Sequence, residues 1–136
     1  RTTKESLYKG IEAAITGHRL GDIGHAVQTH CENAGYGVVR EFVGHGIGRD
    51  MHEEPQVPNY GRQGTGKTIK NGLCIAIEPM ITLGTHELAM LPDRWGVVTR
   101  DHQPAAHFEH TIAIHHGKAD ILSSFKEIEE IERQKQ

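Results

Sequence analysis

The sequence has 136 residues, of which 36% are hydrophobic and 24% charged, and its formal net charge is −3 at pH 7. This length supplies one domain with a moderate core. Acidic and basic residues are interspersed and the apolar runs are short, so the composition excludes the basic patch of a nucleic-acid-binding protein and a membrane span.

The first third of the chain predicts two amphipathic helices. Residues 2–5, TTKE, have the form of a capping box that begins the first helix. Gly17 and Gly35 are expected to end the two helices. Apolar residues recur at helical spacing in both segments, first at Leu7, Ile11, Ala14 and Ile15 and then at Ile23, Val27, Cys31 and Ala34.

Beyond Tyr36 the hydrophobic pattern changes to that of short strands linked by turns. Two helices followed by a strand-rich remainder predict an α+β layer architecture. The C-terminal KEIEEIERQKQ, with Ile128 and Ile131 at one edge, predicts a solvated charged helix without chemistry. The predicted strands cover residues 38–39, 73–81, 88–91, 96–99 and 107–114.

The two cysteines and several histidines are interpreted as core or surface residues. Cys31 and Cys74 lie far apart among apolar positions, which indicates reduced core thiols in a cytosolic protein. Histidine is unusually frequent, with 11 residues. Four histidines are expected at the surface or in satisfied positions, namely His25, His30, His115 and His116.

Residues 61–68, GRQGTGKT, fit the phosphate-loop pattern G-x-x-x-x-G-K-[ST]. That pattern binds phosphate when it leaves a buried strand and opens a helix. The preceding HEEPQVPNY contains two prolines, and the following TIK runs into the turn pair Asn71-Gly72. We therefore interpret the segment as a mobile Gly-rich surface loop with a solvated lysine, and nucleotide binding stays as the minor alternative.

The segment GHGIGRDMHEEP, residues 44–55, is the first candidate for chemistry. His45 stands between two glycines, which remove neighbouring side chains and permit unusual backbone angles, so its imidazole can be aimed into a cavity. A turn histidine is the alternative. His52 begins a stretch that resembles the zinc motif HExxH, but Gln56 stands at the second histidine position and Pro55 breaks the required helix.

Two glutamates in apolar surroundings complete the candidate set. Glu78 follows the apolar IAI and precedes Pro79, and Glu109 falls on the strand predicted in AAHFEHTIAI. A buried carboxylate without a partner is unfavourable, and a metal offsets that cost. One histidine with two glutamates is a mixed oxygen and nitrogen ligand set that suits a divalent first-row metal. The alternative is ordinary strand alternation with surface-facing glutamates.

Two further histidines, His107 and His110, flank Glu109 and are candidates for orienting it. Successive residues of a strand point to opposite faces, so Glu109 and His110 face opposite ways. At least one of the two histidines is therefore expected only to pack.

The stretches GHGIGRDMHEEPQVPNY, IAIEPM and HFEHT, in this order and spacing, resemble the C-terminal half of the type I methionine aminopeptidases. The resemblance extends from the first residue to Ile114. It implies an α+β, creatinase/aminopeptidase-like pita-bread fold, here its C-terminal portion with two helices packed on a mainly antiparallel sheet. We expect this part of the metallopeptidase catalytic domain over residues 1–122 and a charged tail over residues 123–136.

The family has a dinuclear metal centre built from two aspartates, one histidine and two glutamates. Through the resemblance, His45 corresponds to the histidine ligand, Glu78 to the terminal glutamate and Glu109 to the bridging glutamate. Glu78 also has the catalytic role of moving a proton. His52 resembles the catalytic histidine that contacts the substrate peptide bond, and Trp95 matches an aromatic residue that borders the methionine pocket.

The function implied by the resemblance is removal of the N-terminal methionine from nascent proteins by a divalent-metal-dependent aminopeptidase. The intact enzyme would hold two divalent ions, drawn from cobalt, manganese, iron, zinc or nickel. The implied partners are N-terminal methionine peptides, nascent proteins and the ribosome, in the cytoplasm, with neither nucleic acid nor membrane as a specific partner.

One departure from the family affects activity. The family's two aspartate ligands and a further catalytic histidine have no counterpart in this sequence, which also begins at a helix cap without an initiator Met. We expect a truncated chain that is inactive or weakly active alone and keeps one weak metal site. Two alternatives are a non-catalytic peptide-binding pita-bread module and, less favoured, nucleotide binding through GRQGTGKT.

Overall fold

A computed structural model describes residues 1–135 as three helices and ten short strands. The helices are α1 (Thr2–Ala13), α2 (Leu20–Asn33) and α3 (Lys126–Gln134). The strands are β1 (Gly37–Val38), β2 (Gly44–Gly46), β3 (Glu53–Val57), β4 (Cys74–Ile77), β5 (Met80–Thr82), β6 (Leu88–Met90), β7 (Val97–Thr99), β8 (Ala105–His107), β9 (His110–His115) and β10 (Lys118–Ile121).

Helices α1 and α2 confirm the predicted periodicity but not the predicted cap. Arg1 occupies the N-cap of α1 without a side-chain cap hydrogen bond, so the capping box predicted at residues 2–5 is wrong. Thr3 is instead buried, 5% exposed, on the face that packs inward. Gly35 follows α2 with φ +85°, the left-handed conformation expected of a glycine stop.

The two longest predicted strands are each divided into two. Glu78 and Pro79 separate β4 from β5, and Phe108 and Glu109 separate β8 from β9. The prediction that the two glutamates lie within strands is therefore wrong. Proline has no N–H to donate to a sheet, which explains the break after Glu78.

The two breaks lie side by side. On one side of them Ile77 pairs with His110, and on the other side Met80 pairs with His107. The residue numbers of both pairs have the same sum, so the register does not change across the break. Glu78 consequently stands opposite Glu109.

The strands form three antiparallel sheets. The five-stranded sheet has the order β10-β9-β4-β2-β3, the three-stranded sheet β1-β5-β8, and β6 and β7 form a hairpin. The break at the glutamates is thus the place where two paired strands leave the larger sheet and enter the smaller one. The predicted combination of helices with mainly antiparallel strands is confirmed.

The main core lies where the helices cover the five-stranded sheet. Burying a Leu, Ile or Val side chain contributes about 1.5–3 kcal/mol, so this cluster is a large stabilising term. Cys31 is fully buried and Cys74 partly buried, and both are free thiols. The buried residues of the cluster are Leu7, Ile11, Ala14, Leu20, Ile23, Val57, Ile69, Ile75, Ile77, Ile112 and Ile114.

Helix α3 has the solvated character expected of the C-terminal segment. Ile128 and Ile131 are 48% and 54% exposed. The tail nevertheless contacts the body, since Lys4 forms an ion pair with Glu129 and the Phe125 ring packs against the core. Within residues 1–135, no helix is long and apolar enough to cross a membrane.

The start of α2 provides a test of local stability. Asp22 accepts hydrogen bonds from the backbone N–H of Arg19, at 2.7 Å, and of Gly64, at 2.8 Å. We expect Asp22→Ala to lower the free energy of unfolding by about 1 kcal/mol, as for a lost helix cap. Denaturant titration measures the change, and Asp50→Ala, which removes an exposed carboxylate of equal charge, is the control.

The same two N–H donors, Arg19 first and then Gly64, hold the pKa of Asp22 below its ordinary value of 3.8. A carboxyl with a lowered folded-state pKa stabilises the fold above its unfolded pKa and loses that contribution as the pH falls through the folded value. The difference between wild type and Asp22→Ala should therefore disappear in acid. A difference that persisted below the folded pKa would contradict this assignment.

Candidate metal centre

His45 lies at the middle of β2, which runs between β3 and β4 in the larger sheet. It is therefore a strand residue and not a turn residue. The flanking glycines are required by close packing: a Cβ on Gly44 would stand 2.2 Å from the Ala76 carbonyl oxygen, and one on Gly46 would stand 2.1 Å from the Glu54 oxygen. Neither glycine has a positive φ. The lack of space for a side chain, and not an unusual backbone angle, therefore explains why glycine stands at both positions.

The structure brings His45, Glu78 and Glu109 together. Each offers one ligand atom, and these atoms all lie within 4.8 Å of one another. His45 Nε2 lies 3.4 Å from Glu78 Oε1. Glu78 is 9% exposed, whereas Glu109 is open to solvent. A cluster of this kind combines a shielded carboxylate with an accessible one.

The hydrogen bonding of His45 fits a metal ligand. Its Nδ1 lies 3.0 Å from the Gly46 carbonyl oxygen, which only accepts, so Nδ1 carries the proton. In the neutral ring Nε2 then carries a lone pair, which faces Glu78 Oε1. Two lone pairs that face each other without a proton between them repel, and a cation bound between them makes the arrangement favourable. The donor set therefore fits a divalent metal ion.

The second carboxylate oxygen of Glu78 faces another histidine. His107 Nε2 lies 3.4 Å from Glu78 Oε2. This contact with the Glu78 carboxylate is the main cause that raises the pKa of His107, and partial burial opposes it. The sequence interpretation placed His107 beside Glu109, and the structure instead directs it to Glu78.

His110 belongs to the opposite face, in agreement with the expected alternation. It is 2% exposed and stacks on Phe125, with ring centroids 4.0 Å apart. Its Nε2 lies 3.2 Å from the Tyr8 hydroxyl and its Nδ1 2.7 Å from Ser123 Oγ. Burial lowers the pKa of His110. One of the two histidines that flank Glu109 is thus a packing residue, as predicted.

His52 and Trp95, the two predicted substrate contacts, lie in different settings. The exposed His52 ring covers the His45 ring, with centroids 4.0 Å apart, so it stands beside the three donors. Trp95 lies in the connection between β6 and β7 and is 90% exposed. The structure therefore brings His52 to the site but not Trp95, whose pocket role stays a prediction.

An apolar cavity of about 430 Å³ adjoins the site at His107. It lies between the β6–β7 hairpin and the smaller sheet. Its wall also includes the polar side chains of Thr99, His102 and Gln103. The main apolar lining residues are Val39, Phe42, Met80, Leu88 and Val97.

Sequence reasoning missed Asn59. This residue is fully buried, and its Nδ2 donates to the backbone carbonyl of Glu78 at 3.3 Å. The break in the strand removes that carbonyl from the sheet ladder, and Asn59 supplies the replacement donor. The contact spans 19 residues, so no local spacing could have signalled it.

The GRQGTGKT loop is not arranged to hold a phosphate. The loop gives carbonyl oxygens to the start of α2, where Gly21 N–H donates to Thr65 O at 2.9 Å and Leu20 N–H to Lys67 O at 3.0 Å. The Gly64 N–H binds the Asp22 carboxylate. The helix N–H groups and one glycine N–H that would attract an anion are thus already satisfied. The loop is packed against α2 and Lys67 is exposed, which agrees with the predicted surface loop and its solvated lysine.

Comparison with known sequences identifies close relatives. The pattern of metallopeptidase family M24 matches residues 1–116. Methionine aminopeptidase 1 of Bacillus subtilis is 52% identical over 121 residues, which are 89% of this chain and 49% of the relative. The methionine aminopeptidase of Clostridium acetobutylicum is 50% identical over 123 residues, 90% of this chain and 49% of the relative.

Solved structures agree with the sequence relatives. The methionine aminopeptidase of Thermotoga maritima superposes with a TM-score of 0.87 at 47% identity, over 90% of this chain and 49% of that one. A prolidase from Pyrococcus furiosus, at 22% identity and TM-score 0.65, covers 90% of this chain and 31% of its own and shares the fold. These likenesses confirm the predicted α+β pita-bread fold.

The chain spans about half the length of the curated relatives it matches. Within that span, the match extends from the first helix through the strand that follows Glu109. A metallopeptidase pattern over this range accounts for the cluster of oxygen and nitrogen donors and implies divalent metal ions as cofactors. The chain belongs to metallopeptidase family M24.

Proposed function

We propose that this chain provides part of an aminopeptidase that removes the N-terminal methionine from proteins with the help of divalent metal ions. The observation that supports the proposal most directly is the meeting of His45, Glu78 and Glu109 within 4.8 Å. This meeting occurs in a chain about half identical to proteins named methionine aminopeptidase.

In this proposal His45 Nε2, Glu78 Oε1 and a carboxylate oxygen of Glu109 would hold the metal. When bound, divalent ions would make a water acidic enough to act as a nucleophile near neutral pH and would polarise the scissile carbonyl. The intact enzyme would use two ions. Oxygen and nitrogen donors suit cobalt, manganese, iron, zinc and nickel alike, and they do not select among them.

Glu78 is proposed as the group that moves protons. It is shielded from solvent and lies between two imidazoles. A carboxylate in that position accepts a proton from the attacking water and returns it to the departing amine. The same residue thus serves as ligand and as general base.

His52 is proposed to stabilise the oxyanion that develops on the substrate carbonyl. Its ring is exposed beside His45, where substrate can reach it. A donor that binds the oxyanion more strongly than the ground-state carbonyl accelerates the reaction. Trp95 is proposed to border the methionine side chain once substrate is present.

The proposed substrates are peptides and nascent proteins that begin with methionine. The ribosome as a partner and the cytoplasm as the location belong to the same proposal. They rest on the resemblance to methionine aminopeptidases.

A chimera tests the function directly. The half of Bacillus subtilis methionine aminopeptidase 1 that matches this chain is replaced by residues 1–122, and hydrolysis of Met-Ala-Ser is measured with Mn²⁺ or Co²⁺. We expect metal-dependent release of methionine. His52→Ala should lower kcat by about 10²–10³, the usual effect of a lost oxyanion donor.

His25→Ala, which removes an exposed histidine from α2, is the matched control and should leave kcat unchanged. A folded chimera that binds the peptide without metal and releases no methionine would favour the non-catalytic binding module instead. Equal rates for His52→Ala and the unsubstituted chimera would remove His52 from the mechanism.

A further inference from the structure

Glu78 is restrained at more points than a metal ligand alone requires. Asn59 holds its backbone carbonyl, and the two carboxylate oxygens face different imidazoles. Oε1 faces His45 Nε2 and Oε2 faces His107 Nε2, each at 3.4 Å. The two sides of this carboxylate are therefore not equivalent.

The chemistry of the two imidazoles separates the roles of the oxygens. His45 donates its Nδ1 proton to the Gly46 carbonyl, so its Nε2 has no proton for Oε1 in the neutral ring. The Nδ1 atom of His107 has no such backbone acceptor among residues 1–135, and the polar contact of its ring is with Glu78. A carboxylate oxygen only accepts, so a bond between Oε2 and His107 requires Nε2–H.

We propose that His107 is a positioning residue that donates Nε2–H to Oε2 of Glu78 and thereby directs Oε1 to the metal. The inference rests on the proposed function, because it concerns the metal site described above. Partners of this kind fix the orientation of a ligand and increase its metal affinity.

The position of His107 in the fold makes the contact specific. His107 is the last residue of β8 and pairs with Met80, immediately beside the strand break. The unbroken register places it across from the segment that carries Glu78. Its ring also forms part of the apolar cavity wall, with 43% of the side chain exposed.

The test compares two substitutions that differ in hydrogen-bond donation. Binding of Mn²⁺ and Co²⁺ is measured by calorimetry on wild type, His107→Ala and His107→Gln, with His25→Gln as the surface control. His107→Ala should weaken binding about 10- to 100-fold, the usual effect of losing such a partner. His107→Gln keeps an N–H donor and should restore most of the affinity.

The visible spectrum of bound Co²⁺ gives a second reading of the same variants. It should change in His107→Ala and return towards wild type in His107→Gln. Equal affinity for His107→Ala and wild type would overturn the inference while leaving the proposed function intact. Failure of His107→Gln to restore binding would also overturn it, because donation would then not be the role of His107.

A third measurement needs no metal and therefore tests the inference separately from the proposed metal site. If the wild type bound no metal, that result would count against the metal site, and this measurement would still decide the role of His107. Nitrogen-15 NMR of the histidine rings, at about pH 9 and so above the ordinary histidine pKa of about 6.5, identifies the protonated nitrogen. We expect a slowly exchanging Nε2–H on His107 that is lost in Glu78→Ala. An Nδ1–H ring, or an unchanged signal in Glu78→Ala, would overturn the inference.

Discussion

Glu109→Gln is expected to lower the affinity of this chain for Mn²⁺ and Co²⁺ by more than about 100-fold. It replaces one of three charged or strongly basic donors with a neutral amide oxygen, whereas losing an outer partner already costs about 10- to 100-fold. Glu109 stands opposite Glu78 and supplies the accessible carboxylate of the cluster. The amide keeps the size of the side chain but is uncharged and a poorer ligand. Calorimetric titration of each metal into wild type and variant measures the change.

Glu87→Gln is the matched control, since it makes the same change in an exposed side chain that pairs with Arg100 at 3.7 Å. It should bind metal like wild type. Both variants should also unfold at the wild-type temperature, because both side chains are exposed. Unaltered affinity in Glu109→Gln would exclude Glu109 as a ligand. If wild type bound no metal, three donors would be insufficient and the single weak site expected from the sequence would be wrong.

The helices and the identity of the three donors were accessible from the sequence because their signals are local. The apolar stripes of α1 and α2 repeat at helical spacing and bury most of the residues that the spacing selects, although Ala34 at the end of the second stripe is exposed. Glu78 and Glu109 stood out as carboxylates beside apolar strands, where burial without a partner is unfavourable. His45 stood out through its two glycines.

The relations among these residues were not accessible, because they depend on strand register. Alternation shows that His107 and Glu109 share a face, but only the pairing of β5 with β8 places His107 beside Glu78. Asn59 reaches Glu78 from a distant loop. Pro79 was a local sign of the strand break. Because proline has no N–H to donate to a neighbouring strand, it indicates that the strand predicted over residues 73–81 is interrupted there.

The two glycines beside His45 correctly indicated a histidine of the donor cluster, but the physical reason predicted for them was incomplete. The expected reasons were the absence of neighbouring side chains and the freedom to adopt unusual backbone angles. The structure supports the first, because neighbouring backbones pack closely at both glycines, and not the second. The distinction has a consequence, because strand β2 has a neighbour on each side and cannot move away from either. A side chain at Gly44 would have to displace the sheet itself.

Gly44→Ala is therefore expected to lower the free energy of unfolding by about 3 kcal/mol or more, the upper range for overpacking a well-packed site. The new Cβ would stand 2.2 Å from the Ala76 carbonyl oxygen and 3.1 Å from that of Val57, both of which are backbone atoms. His45 follows directly and pairs with Ala76, so the shift would also misplace the histidine and weaken metal binding. Denaturant unfolding and Mn²⁺ titration measure the two effects.

Gly64→Ala separates crowding from the general cost of replacing glycine. Gly64 has φ +73° and open space around it, so alanine there meets no neighbour within 4 Å. Its cost should be the backbone strain of about 1–2 kcal/mol for a left-handed residue, with metal affinity unchanged. If Gly44→Ala were as stable as wild type and bound Mn²⁺ equally well, the sheet would tolerate a side chain at this position. The placement of His45 would then not depend on close packing at Gly44.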